Sequence, residues 1–390
     1  MGTAPAYAEF SRREFEQRWD RARSEMDRAG LDALLSSSEP NYRYLSGHVT
    51  QAWLNKARPL FMVLTRAGDP VLIVGGSETS VARNTSHITD IRFFRTFAEP
   101  GVLELADLLR ERCGTAGTVG CELGTAQRLG MPPADFRALE GRLPGFRFVD
   151  AADIFWRLRL VKSAAELAYI RRAIGITNDA VAKTLARVRS GWTERQVFQD
   201  LASGVMLLGA DRPGYTPVNA DAHGPDSLTG GPTERPLETG RMVYMGAGCV
   251  YRGYWADQVR VFAVGPASDH RRRLYRIIQR ALDQSLKAIR VGAPVAEIMR
   301  ATLAEFEKAG IGEYTGRLGR IGHGTGLDLS EPPSINLEDP TILQAGMVLY
   351  VEPNFATEDG NFLVEEMVLV TPEGPEMLSV RAAAELPTVA

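Results

Sequence analysis

The sequence predicts an α+β chain of two domains, an N-terminal α/β domain over residues 1–158 and a C-terminal domain over 159–390. Three observations lead there. Helical and strand-like runs alternate through the first domain. At the junction, Ser163 is followed three residues later by Glu166, a pairing that satisfies orphaned N–H groups at a helix start. The closing third is rich in short apolar runs with His and Glu residues set among them. A length of 390 residues suits two or three domains and a sizeable core.

Taken in order, Phe10, Phe15, Trp19, Ala22 and Met26 recur at helical spacing, and Gly30 stands where a helix is expected to stop. Residues 31–35 read as a strand and Ser36–Pro40 as a loop. Residues 61–65 and 70–74 are apolar runs split by Arg66-Ala67-Gly68-Asp69, the pattern of a hairpin. A helix over about 101–113 and a strand over 118–122 complete the first domain. After the helix opened by Ser163, Thr193 starts another, and 211–235 reads as a long loop rich in Pro, Gly and Asp. Helices follow at about 268–290 and 294–309, then the strand-rich end.

Hydrophobic content of 44% and charged content of 24% are ordinary for a globular chain, and a net charge of −3 gives no reason to expect nucleic acid as a partner. No apolar run approaches the roughly 18 residues of a membrane span, and none follows a basic N-terminus, so neither a membrane nor secretion is expected. Cys113, Cys121 and Cys249 lie far apart in no metal-binding spacing, which suits a reducing cytoplasm.

The chemistry concentrates between Gly240 and Glu365. Tyr254-Trp255-Ala256-Asp257-Gln258-Val259-Arg260, Gly322-His323-Gly324-Thr325-Gly326, Tyr350-Val351-Glu352-Pro353 and Val364-Glu365-Glu366 together offer Asp257, His323, Glu352 and Glu365. Oxygen and imidazole donors of this kind hold divalent ions. A Glu in an apolar run is expensive to bury unpaired, so Glu352 alone reads equally well as an edge-strand residue in water. Beside His323 and Glu365 it reads as part of a shared site, with Glu366 on the opposite face of the pleat.

These segments resemble the pita-bread superfamily, which holds methionine aminopeptidase, aminopeptidase P, prolidase and the non-peptidase creatinase. The resemblance implies a pita-bread C-terminal domain behind a creatinase-like N-terminal domain. It extends to Arg159-Leu160-Val161-Lys162-Ser163-Ala164-Ala165-Glu166, the start of the catalytic domain in the creatinase and aminopeptidase P branch. The family pattern is an Asp, a second Asp eleven residues on, a His in His-Gly-x-Gly, and two Glu. Asp257, His323, Glu352 and Glu365 match the last four; the first Asp falls on Gly246. In two-metal members that first Asp serves one ion alone. Its loss implies one divalent ion per subunit (Mn, Zn, Fe or Co), held by Asp257, His323, Glu352 and Glu365. Restoring it by Gly246→Asp is then expected to raise the metal count. A metal-free site, as in creatinase, is the opposing reading.

Two peptidase histidines are also missing: the family positions fall on Thr229 and Ser330. His223, in a segment that loosely resembles the one bearing creatinase's catalytic His, is the expected substitute acid or base beside His323, Glu352 and Glu365. Lys56-Ala57-Arg58-Pro59 resembles a creatinase stretch whose Arg crosses a dimer interface to clamp the substrate carboxylate. Arg58 and Trp53 are accordingly expected to bind substrate in a homodimer, a planar guanidinium fork suiting a carboxylate. The expectation is a creatinase-like, non-peptidase hydrolase of a C–N bond in a small carboxylate-bearing compound. The alternatives are an Xaa-Pro dipeptidase of the aminopeptidase P type and a lyase on a small carboxylate such as dimethylsulfoniopropionate.

Overall fold

The structure is a computed structural model and describes residues 5–221, 227–311, 319–357 and 359–390. The chain divides into two compact units, Met1–Arg159 and Leu160–Ala390.

The N-terminal unit is built on a six-stranded sheet: β1 (Ala33–Ser36), β2 (Phe61–Thr65), β3 (Val71–Gly75), β4 (Asp90–Phe94), β5 (Gly117–Cys121) and β6 (Phe146–Asp150), in the order β4-β3-β2-β1-β5-β6. The first three strands are buried on both faces, which is why they read as unbroken apolar runs. Only β2 runs against its neighbours, joined to β3 by the turn at Gly68. Among the described residues, six α-helices accompany the sheet: α1 (Arg12–Ala29), α2 (Glu39–Ser46), α3 (Thr79–Thr85), α4 (Val102–Cys113), α5 (Pro133–Arg142) and α6 (Ala152–Leu160). Leu105 and Leu109 of α4 pack into one core with Leu35, Phe61, Val63 and Ile73. Gly30 ends α1 in the left-handed conformation, as expected of a glycine stop.

The expected loop at Ser36–Pro40 is instead the entry to α2. Pro40 is tolerated there because the first turn of a helix has no intrahelical acceptor for its N–H groups. Buried Glu122 organises this entry, accepting from Ser37 N at 2.8 Å, Ser37 Oγ at 2.6 Å, Ser38 Oγ at 2.5 Å and Asn41 Nδ2 at 2.7 Å.

In the C-terminal unit, α7 (Ala164–Leu185) opens with the expected capping box: Glu166 N donates to Ser163 Oγ and Ser163 N to Glu166 Oε2. Thr193 and Gln196 repeat the device for α8 (Glu194–Leu207). The stretch expected to be a 211–235 loop carries β7 (Arg212–Pro213) and β8 (Val218–Asp221). Both pair with β9 (Met242–Tyr251), which forms a hairpin with β10 (Tyr254–Val264). Helices α9 (Asp269–Ala288) and α10 (Ala296–Lys308) follow. A second sheet joins β11 (Gly322–Gly324), β12 (Glu331–Ser334) and β13 (Val348–Val351). The hairpin β14 (Asn354–Thr357) and β15 (Gly360–Leu363) stands apart. Strands β16 (Glu366–Thr371) and β17 (Gly374–Met377) complete the second sheet in the order β12-β11-β13-β16-β17, and β18 (Thr388–Val389) edges the first. Val259 and Val261 of β10 share a core with Ile278 and Leu282 of α9, Ile298 and Phe306 of α10, and Leu349 and Val351 of β13.

Candidate metal centre

Strand β11 is only three residues long, yet it is pressed between β12 and β13. A Cβ on Gly322 would lie 2.1 Å from the Tyr350 carbonyl oxygen, and one on Gly324 would lie 2.2 Å from that of Pro332. Only glycine admits so close a backbone approach. His323, between them, is therefore held rigidly, its ring edge-on to Tyr350 with centroids 5.2 Å apart. Glu352 follows directly after β13, its N–H bound to the Ile321 carbonyl at 2.8 Å. Glu365 precedes β16 and bridges to Val259 of β10.

His323, Glu352 and Glu365 place one donor atom each within 4.8 Å of one another, the one such group of three among the described residues. All three are buried. His323 Nδ1 lies 2.9 Å from the Gly324 carbonyl oxygen, which can only accept, so the ring proton sits on Nδ1. The Nε2 lone pair then points into the cluster, 3.7 Å from Glu352 Oε1. Burial, helped by the charge of Arg320, pushes the imidazole down to about 3, so it is neutral. Burial raises Glu352 to about 7, with Arg320 pulling against it. Glu365 is raised well above its ordinary range by burial and then by repulsion from Asp257 and Glu352. Asp257 is raised by burial against the Gln258 N–H that its Oδ1 accepts at 2.8 Å.

Three buried carboxylates beside a neutral imidazole with an inward lone pair form a donor set short of positive charge. A divalent cation fits it. Asp257 lies outside the tight group of three, though its charge is felt by Glu365, Tyr215 and Tyr244.

Asp257 faces Gly248 across the hairpin and Val259 faces Gly246, so position 246 is on the same face of the sheet as Asp257. A Cβ there would lie 2.6 Å from Pro217 Cδ and 2.8 Å from its Cγ. The Gly246 N–H also binds the Pro217 carbonyl at 2.9 Å. The proline ring covers the place where a carboxylate would start. This packing argues against the expectation that Gly246→Asp alone raises the metal count.

His223 falls outside the described residues. Arg58 and Trp53 belong to the N-terminal unit. There Arg58 donates to Ser77 Oγ at 3.3 Å, lies over the Phe97 ring, and lines a pocket of about 260 Å³ with Arg95. Trp53 packs edge-on to Tyr42. Sequence reasoning missed Pro217, Tyr215 and Arg320. Tyr215 donates to the Leu228 carbonyl at 3.0 Å, and its hydroxyl is pushed up to about 12 by burial and the site carboxylates. No local pattern marks Pro217, whose partner is 29 positions away. Arg320, three residues before His323, was within reach of a count from the His-Gly-x-Gly turn.

Residues 168–372 match the family described as Metallopeptidase family M24, and residues 18–161 match the Creatinase/Prolidase N-terminal domain. A Pyrococcus horikoshii protein named Xaa-Pro dipeptidase is 26% identical over 366 residues, covering 91% of this chain and 94% of the relative. The crystal structure of dipeptidase PepE from Mycobacterium ulcerans superposes with a TM-score of 0.84 at 26% identity, covering 97% of this chain and 99% of that one. The Bacillus anthracis Xaa-Pro dipeptidase has the same fold at TM-score 0.84 and 24% identity, covering 96% and 100%.

Proposed function

The chain belongs to metallopeptidase family M24 and is a hydrolase of that family; from this premise we propose that it is a dipeptidase acting on Xaa-Pro substrates with one divalent ion per chain. The observation that carries the reading is the buried three-donor cluster of His323, Glu352 and Glu365. Relatives named Xaa-Pro dipeptidase, similar over nearly the full length, support the substrate class. They do not support the creatinase-like, non-peptidase expectation, which rested on the missing Asp at Gly246, the histidines missing at Thr229 and Ser330, and the creatinase-like stretch around Arg58. That preference is replaced by its peptidase alternative.

His323 Nε2 and the carboxylates of Glu352 and Glu365 would hold the ion, with Asp257 as a further ligand. When bound, it supplies Lewis acidity to the scissile carbonyl and to the attacking water. In the ion-free chain burial raises the Glu352 carboxyl to about 7, so holding the ion would require it to give up that proton. Pro217 over Gly246 supports a single ion, because a second would lack its own carboxylate.

The test is release of free proline from Ala-Pro by purified protein loaded with Mn²⁺, Zn²⁺, Fe²⁺ or Co²⁺, with creatine and dimethylsulfoniopropionate assayed alongside. Turnover of Ala-Pro that His323→Ala abolishes is expected. Turnover of creatine or dimethylsulfoniopropionate without dipeptide hydrolysis would overturn the reading.

A further inference from the structure

We propose that Arg212, stacked on Trp255 beside the metal centre, selects dipeptides whose first residue has an acidic side chain; this rests on the dipeptidase reading above. Three strands bring the two side chains together. Trp255 of β10 stands opposite Val250 of β9, and Val250 stands opposite Arg212 of β7. Residues directly opposite one another project from the same face of a sheet, and so do residues two apart on one strand. Arg212, Val250, Trp255 and Asp257 therefore share a face. Arg212 reaches across Val250 and sets its guanidinium carbon 4.5 Å from the centroid of the Trp255 ring. Trp255 is itself tied to two ligand segments. It precedes Asp257 by two positions, and it donates from its backbone N to the Gly326 carbonyl at 2.8 Å and from Nε1 to that of Leu327 at 3.1 Å, three and four residues past His323. A Cβ on Gly248 would lie 3.3 Å from Asp257 Oδ1 and 3.5 Å from Tyr215 N, so the chain three residues past Arg212 runs beside the Asp257 carboxylate.

Arg212 is exposed and Trp255 half-buried, so the guanidinium is open to solutes. Among the described residues Arg212 has no carboxylate partner, and the neighbouring Asp211 instead accepts from Gly253 N at 3.4 Å. Stacking on an indole holds the planar fork in place without neutralising it. An arginine held in this way keeps its full charge for a ligand. The free ammonium of a dipeptide belongs to its first residue and is drawn toward the carboxylates of the centre. Asp257, outside the tight group of three donors, is the carboxylate on the face that carries Arg212. The first residue's side chain then points along the sheet toward Trp255, whose Cα stands about 7 Å from that of Asp257. A carboxylate there meets the guanidinium, a neutral side chain gains no charge pairing, and a lysine is repelled.

The experiment compares Mn²⁺-loaded wild type, Arg212→Ala, Arg212→Glu and Arg189→Ala on Glu-Pro, Gln-Pro and Lys-Pro, with thermal melts to confirm folding. Arg189 is the control, since it lies 5.4 Å over the Trp192 ring in the same kind of stack on another segment. Calorimetric binding of L-glutamate and L-glutamine to the same proteins is measured in parallel. Wild type should favour Glu-Pro over Gln-Pro by about fivefold in kcat/KM, chiefly through KM, the upper scale of an exposed ion pair. The preference should shrink as salt rises from about 0.01 M to about 1 M, because the Debye length falls from about 30 Å to about 3 Å. In Arg212→Ala the Glu-to-Gln ratio should collapse toward one. In Arg212→Glu, Lys-Pro should become a better substrate than Glu-Pro. Arg189→Ala should keep the wild-type ratio.

A wild type that hydrolyses Gln-Pro as well as Glu-Pro, a preference kept in folded Arg212→Ala, or an equal loss in Arg189→Ala overturns the assignment and leaves the dipeptidase reading standing. If wild type hydrolyses neither these peptides nor Ala-Pro, the dipeptidase reading falls, and the binding data decide Arg212 alone. L-glutamate bound better than L-glutamine only while Arg212 is present sustains the acidic-side-chain site, and equal binding ends it.

Discussion

Glu352 sits at 7% exposure with its carboxyl raised from an ordinary 4.5 to about 7, first by burial. A group that holds its proton more tightly in the folded state than in the unfolded one stabilises the fold fully below its unfolded pKa. That contribution is lost as pH rises through the folded value. For Glu352 the window runs from about pH 4.5 to about pH 7. In ion-free protein, wild type should therefore lose stability relative to Glu352→Gln across that window, by on the order of 3 kcal/mol. Denaturant melts of the two proteins at several pH values measure it, and curves that run parallel would refute the coupling. Position 246 gives a second prediction at this scale. Wild type and Gly246→Asp should each bind one Mn²⁺, because the Pro217 ring stands 2.6 Å from the new Cβ. Pro217→Ala removes the two ring carbons that obstruct it, so Gly246→Asp/Pro217→Ala should take up a second ion. Elemental analysis and calorimetric stoichiometry decide the matter, and two ions in the single variant would show that β8 yields easily.

At the scale of elements, the centre exists because three segments meet, and Arg260 of β10 secures the meeting from behind. Its Nη1 donates to the Glu365 carbonyl at 2.9 Å and to Val259 O at 2.8 Å. Its Nη2 reaches Glu366 Oε2 at 3.1 Å and Gln258 Oε1 at 2.6 Å. Glu366, fully buried, also accepts from Ala382 N at 2.7 Å. Arg260 and Glu366 thus fasten β10 to β16 on the side away from the ligands, and Glu365 turns its carboxylate the other way. Arg260→Met leaves a buried carboxylate unpaired and should cost about 3–5 kcal/mol. Arg260→Met/Glu366→Met should cost less than the single change, since no charge is stranded. Both variants should weaken Mn²⁺ binding, because the Glu365 backbone has lost its anchor. Equal destabilisation by the single and double changes, in urea melts, would show that the pair itself is not what holds the strands.

For the whole molecule, each unit has its own core, so unfolding need not be a single all-or-none event. An ion bound only by the folded C-terminal unit stabilises that unit by RT ln(1 + [L]/Kd), about 2.7 kcal/mol at a hundredfold excess over Kd. Scanning calorimetry with and without Mn²⁺ should show a raised transition for the C-terminal unit, and His323→Ala should abolish the rise. A shift that survives His323→Ala would place the ion elsewhere.

What the sequence determined by itself was whatever rests on neighbours a few residues apart. The glycine stop at Gly30, the Ser163–Glu166 capping box and the Thr193 helix start are interactions between positions within one turn, and each is present in the fold. That His323, Glu352 and Glu365 would be brought together was legible because carboxylates in apolar runs have no cheap alternative to a shared partner, and the fold sets their donor atoms within 4.8 Å of one another. What only the tertiary structure decided depends on contacts between distant segments. Ser36–Pro40 read as a loop because the Glu122 carboxylate that organises α2 lies 82 positions past Pro40. The strands β7 and β8 were invisible because two to four residues carry no periodicity and exist only by pairing with β9. The missing Asp at Gly246 was countable in the sequence; that Pro217 occupies its place was not, since only the β8–β9 register brings the two together. At one of the two positions where a family histidine is absent, the fold sets Arg320 against the Ser330 hydroxyl, a contact no count along the chain reveals. A residue count records which side chain has gone, and only packing in three dimensions shows which other side chain has moved into the space.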